Sequence, residues 1–135
     1  MTNWLAGMRM TADRLNDHSL QSSTTAGLVA ATNFTVNSFS GRKAEGTTTV
    51  NGSVQYTGAG INVTNVGDNI ADTAICTLPV GWRPPEAVNT IWSDGSRDGE
   101  CSIATSGVVT IRTTLNDITT SANLRFYATW LSENG

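Results

Sequence analysis

The chain has 135 residues, 14% of them charged, and a formal net charge of −3. That length suits one domain, and so sparse a charge excludes a non-specific nucleic-acid binder, which needs a basic face to neutralise phosphates. Polarity comes instead from 21 Thr, 12 Ser, 12 Asn and 13 Gly, the β-branched and turn-forming residues of an all-β domain.

The opening, MTNWLAGMRMTADRLNDH, has neither the basic start nor the apolar stretch of a signal peptide, and no apolar run approaches the ~18 residues that cross a bilayer. Synthesis in a cytosol without membrane insertion is expected. Trp4, Leu5, Met8, Ala12 and Leu15 fall on one side of a helix, with Thr11 placed to cap a short helix over TADRLND. Such a helix is marginal alone and needs a surface to lie against. Residues 1–20 therefore read as an N-terminal helical segment for assembly or attachment. Residues 21–27 read as a linker, and residues 28–135 as the β domain.

Within that domain LVAATNFTVNSF predicts one long strand, with Ala30, Phe34 and Val36 among its alternating apolar positions. GRKAEG reads as a charged turn. TTTVNGSVQYT follows, with a tight turn or bulge expected at Asn51-Gly52. INVTNV and NIADTAICTL come next, the latter with Ile70, Ala74 and Cys76 on one face. All three prolines lie in LPVGWRPP, where they end one strand and reset the next; this is a corner of the fold. AVNTIW, ECSIAT, GVVTIRT and LRFYATWL complete the strands. Trp130 alternates with Phe126 and Leu124 and reads as core. An antiparallel sandwich or jelly-roll-like head is expected.

If successive strands are antiparallel neighbours, GRKAEG, VGDN, SDGSRDG and LNDITTSAN share one end. LPVGWRPP, GAG and the Ser106-Gly107 turn share the other. The first end gathers Arg42, Lys43, Glu45, Asp68, Asp94, Arg97, Asp98 and Asp117. Loops displayed by a rigid scaffold carry binding residues, so Trp92, Asp94, Arg97, Asp98, Asp117 and Arg42 are the candidate ligand contacts.

Catalytic chemistry is not indicated. The one histidine, His18, precedes the β domain and reads as a solvated side chain. Two cysteines and one histidine make a poor zinc set, and Cys76 and Cys101 read as reduced and buried. Asp94, Asp98 and Glu100 are the only tight acidic cluster, on a turn too open to raise a carboxyl pKa. DGSRDGE resembles the first half of a calcium loop but has Thr105 where the closing Glu belongs. Neither enzyme activity, cofactor nor metal is expected. Trp82, Trp92 and Tyr56 are placed near loops, where aromatic rings can stack on sugars.

The segment from INVTNVGDNIADTAICTLPVGWRPP to the C-terminus resembles the C-terminal domains of bacteriophage tail fibre, baseplate and receptor-binding proteins. The carrying pieces are LPVGWRPP, then IATSGVVTIRT, then LRFYATWL. TNWLAGMRMTADRLND resembles N-terminal segments of tail-associated proteins from phages and prophages of actinobacteria. The resemblance implies a homotrimeric β-sandwich head in the virion that adheres to a host cell-wall saccharide. Its N-terminal segment, with Trp4, Leu5, Met8 and Leu15, would hold the trimer or meet other tail, baseplate or capsid proteins. The chain has almost no shaft, so it would be a compact head. The alternative is a purely structural virion component of the same fold, a capsid decoration or baseplate protein.

Overall fold

A computed structural model describes residues 22–64 and 69–132. The expected helix with Trp4, Leu5, Met8 and Leu15 lies outside the described residues, as do His18 and Asp68. The described residues hold nine strands and no helix: β1 Ser22–Thr24, β2 Val29–Ala30, β3 Phe34–Ala44, β4 Thr47–Tyr56, β5 Asn69–Thr77, β6 Val88–Ser93, β7 Asp98–Ile103, β8 Val108–Thr113 and β9 Asn123–Leu131. Every pairing is antiparallel, in the order β1-β3-β4-β9-β6-β7-β8-β5-β2. The sheet folds into two layers, β1-β3-β4-β9 and β6-β7-β8-β5-β2, as expected for a β-sandwich head. The layers are joined where β6 meets β9, a junction of only two pairs, Trp92↔Phe126 and Ser93↔Arg125.

The core follows from alternation. On β9, Leu124, Phe126 and Ala128 point inward and are buried, while Arg125, Tyr127 and Thr129 point out. On β4 the inward set is Thr48, Val50, Gly52, Val54 and Tyr56, unbroken. The bulge expected at Asn51-Gly52 is absent because Gly52 is a packing position: the Phe126 ring lies where its Cβ would be. The irregularity falls instead on β3, between Val36 and Ser38. Phe34 and Phe39 are both buried, five residues apart, and strict alternation cannot place both inward without one extra residue. Asn37 is that residue, and its Nδ2 donates to Asn123 Oδ1 at 2.8 Å. Val36, opposite Val54 just before the shift, is exposed. In β5 register shifts bracket Ala74, so Ile75 and Cys76 are buried and Ala74 faces solvent.

Two expected strands change. LVAATNFTVNSF divides at Ala31–Asn33, where Asn33 adopts a φ of 68°. Its first part, β2, pairs with β5, whereas its second, β3, pairs with β1 and β4. Ser22–Thr24, expected in the linker, form β1. The described part of INVTNV, Ile61 to Thr64, forms no strand, and there only Ile61 bridges, to Ile118.

That second change reverses the placement of one hairpin. With no strand among the described residues between β4 and β5, β4 ends and β5 begins at the same end of the sandwich. The β3–β4 turn therefore lies beside LPVGWRPP and the Ser106-Gly107 turn. It is a two-residue turn, Glu45-Gly46, with φ of 52° and 78°, the left-handed pair that matches strand twist. Arg42 and Lys43 are strand residues of β3.

Candidate functional site

Three of the expected contacts meet at the end formed by the β4–β5, β6–β7 and β8–β9 connections. Asp94 organises the β6–β7 turn. Its Oδ1 accepts the backbone N–H groups of Ser96 at 2.9 Å and Arg97 at 2.6 Å, and its Oδ2 accepts Arg97 Nε at 2.6 Å. Arg97 Nη1 then donates to the Asp117 carbonyl at 2.7 Å and to Thr119 Oγ1 at 3.3 Å. Asp117 Oδ1 accepts the Val63 N–H at 2.8 Å. One carboxylate, one guanidinium and a second carboxylate thus tie three loops together. Burial pushes the Asp94 carboxyl up, but the Ser96 and Arg97 N–H groups and the Arg97 charge outweigh it and hold it below its ordinary value.

These bonds change what the cluster can do. The Asp94 side chain is only 3% exposed, so it and the groups it binds are turned toward the protein. Trp92 is fully buried; its Nε1 donates to the Thr113 carbonyl at 2.9 Å, and no ligand can stack on it. Arg42 sits near the opposite end, in register with Ser23 and Thr49. Asp98 and Asp117 are both exposed; Asp117 spends Oδ1 on the Val63 N–H, while the Asp98 carbonyl accepts Leu115 N–H at 2.9 Å. The structure thus groups Asp94, Arg97, Asp98 and Asp117 at one end, buries Trp92 and sets Arg42 apart from them. Loop residues of a small sandwich must first satisfy one another's backbone groups, and here they do.

At the other end the proline corner closes over β3. Lys43 Nζ donates to the Gly81 carbonyl at 2.6 Å and lies 4.6 Å from the Trp82 ring centre, a cation–π contact. The Trp82 ring covers Gly41, and Arg83 Nε donates to the Leu78 carbonyl at 2.9 Å. Cys76 and Cys101 are free and buried. Burial pushes the Cys101 thiol up to about 12, with Glu100 adding to it, and burial together with Cys101 raises Cys76; neither is a reactive thiolate.

A third region was not anticipated. Above their two shared pairs β6 and β9 part, leaving a groove of about 220 Å³ lined by Val88, Asn89, Thr90, Tyr127, Ala128 and Thr129. Thr90 Oγ1 donates across it to the Tyr127 carbonyl at 2.7 Å. Through Val88 it meets a wider cleft of about 500 Å³ bounded by Pro85, Glu86, Ala87, Trp130, Leu131 and Ser132. Tyr127 is 53% exposed and Ile91, on the neighbouring strand, 68%. The signal for Tyr127 was present in LRFYATWL: if Phe126 and Leu124 point inward, Tyr127 points out.

Among the described residues no helix is long and apolar enough to cross a membrane. No family model matches the chain, and no curated protein matches it. A solved structure does: the head domain of phage bIL170, described among the receptor-binding domains of lactococcal phages. It superposes with a TM-score of 0.54 at 15% identity, covering 82% of this chain and 99% of that one. Its phage infects lactococci, not the actinobacteria suggested by the opening segment. At that identity the likeness is one of fold, and the fold this chain shares is that of a phage head domain.

Proposed function

We propose that this chain is a non-catalytic adhesion head of a phage tail or tail-like particle, binding a saccharide of the host cell wall. The observation that carries the reading is the shared head fold, which spans nearly the whole of the bIL170 domain. Hydroxyl- and amide-rich strands suit a sugar ligand, since neutral polar groups exchange hydrogen bonds with sugar hydroxyls as readily as with water. The head works as a homotrimer in the virion, and the Trp4, Leu5, Met8 and Leu15 stripe serves its assembly or its attachment to other tail, baseplate or capsid proteins. Three weak sites then act with the avidity of one strong site. An actinobacterial phage or prophage remains the source that the opening segment favours.

A structural role in the particle is the second reading, favoured by the internal bonding of Asp94, Arg97 and Asp117. Incubating the fluorescently labelled full chain with a panel of lactococcal and actinobacterial cells separates the two. Saturable staining of some strains, competed by unlabelled protein, is expected from an adhesin. No staining on any strain, with particle images showing this chain enclosed by neighbours, would establish the structural role instead. Light scattering is expected to give three times the 14.3 kDa chain mass, and a monomer would remove the trimer.

A further inference from the structure

We propose that the groove between β6 and β9 is the sugar site, with the Tyr127 ring as its platform and an uncharged saccharide as its ligand; this rests on the adhesion reading and deepens it. Tyr127 and Ile91 are large apolar groups held out of the core by strand alternation, side by side on a face otherwise rich in hydroxyls and amides. Exposed apolar surface next to a concavity marks a binding position. A sugar ring offers a C–H face for the aromatic ring and hydroxyls for its rim.

The polar groups around the ring suit that ligand. Asn89 is exposed and its side-chain amide is engaged by no other described residue, so it offers both a donor and an acceptor. The Thr90 hydroxyl spends its proton on the Tyr127 carbonyl and keeps lone pairs for a ligand hydroxyl. That same bond occupies a strand-edge carbonyl between β6 and β9, which disfavours an added peptide strand there. None of the groove residues is charged. Arg125 points out two positions before Tyr127 on β9 but is not part of the groove lining. Glu86 stands at the cleft beyond and the chain carries net negative charge, so a ligand seated in the groove itself meets no charged partner. The groove is smaller than the ~300–1,000 Å³ typical of drug-sized sites, the scale of a single sugar unit. The cleft beside Trp130 lets a polymer continue.

The test uses the full chain, cells of a strain that the wild-type protein stains, and the neutral polysaccharide fraction of that strain's wall as competitor. Tyr127→Ala is expected to lower affinity at least about tenfold, about 1.4 kcal/mol, with its thermal unfolding midpoint unchanged. Tyr127→Phe is expected to bind within about threefold of wild type, and Asn89→Ala to lie between them. If wild type stains cells and Tyr127→Ala stains them equally, the groove is not the site although adhesion stands. If no cells are stained, the adhesion reading fails and the groove proposal with it. Competition by the anionic wall fraction but not by the neutral one would overturn the choice of ligand. So would staining that survives periodate oxidation of the cells and is lost on protease treatment.

Discussion

The two ends of the sandwich hold their loops by different physics. At the end built from the β4–β5, β6–β7 and β8–β9 connections, the fasteners are directional and ionic: Asp94 on Arg97, Arg97 on the Asp117 carbonyl, Asp117 on the Val63 amide. At the proline end two hydrogen bonds, Lys43 on the Gly81 carbonyl and Arg83 on the Leu78 carbonyl, are joined by packed faces and edges. Trp82 lies on Gly41, Lys43 on Trp82, and the Pro79 ring so close to Gly27 that a Cβ there would meet it at 2.8 Å. Short-range hydrogen bonds tolerate little displacement, whereas ring contacts can slide and keep much of their dispersion energy. Charge gathered on a loop is thus no sign of a ligand site until its partners are known. The groove with exposed apolar groups beside it lies at neither end, but on the flank where β6 and β9 separate.

A pair of glycine substitutions sharpens the contrast. A Cβ on Gly99 would fall on the Thr113 carbonyl and within 2.8 Å of Trp92 Nε1, so Gly99→Ala must move backbone and break the indole bond. We expect it to cost about 3 kcal/mol, read as a shift of the urea midpoint. An unfolding curve like wild type would show that the loop end is as compliant as the other.

Asp94→Asn comes next, at about 1.5 kcal/mol near pH 7, from the loss of charge-assisted bonds to Arg97. The Asp94 pKa is lower folded than unfolded. Its contribution is therefore present above the unfolded carboxylate value of about 3.9 and is lost as pH falls through the folded one. Stability measured across that acid range should show the variant and wild type converging. A difference that stays constant into strong acid would mean that the Asp94 charge is not what holds the turn.

Gly41→Ala is the smallest. Its Cβ would approach Trp82 Cε3 at 2.5 Å, but the obstacle is a side-chain ring that can swing. The expected cost is below about 1 kcal/mol, and it should not vary with pH in the acid range. A cost equal to that of Gly99→Ala would erase the distinction between the ends.

Much of this architecture was legible in the chain. Leu124, Phe126 and Ala128 announce the inner face of β9 by alternation alone, and LPVGWRPP announces a corner because proline cannot donate to a ladder. The site was less legible, because burial and partners are not local properties. Trp92 sits beside a loop in the sequence, yet its ring lies under the sheet with Thr113, 21 positions away. Asp94 and Arg97 look like display residues until their separation of three positions closes into an ion pair.

The sequence by itself determined the strand periodicity, the all-β class and the proline corner, since each depends on residues within one or two positions of one another. Which end each loop occupies was decided only by the tertiary structure. It turned on whether INVTNV would pair as a strand, and among its described residues a single bridge from Ile61 to Ile118 forms instead. Strand pairing is a contest among distant partners, and its outcome moved Arg42 to the end opposite Asp94.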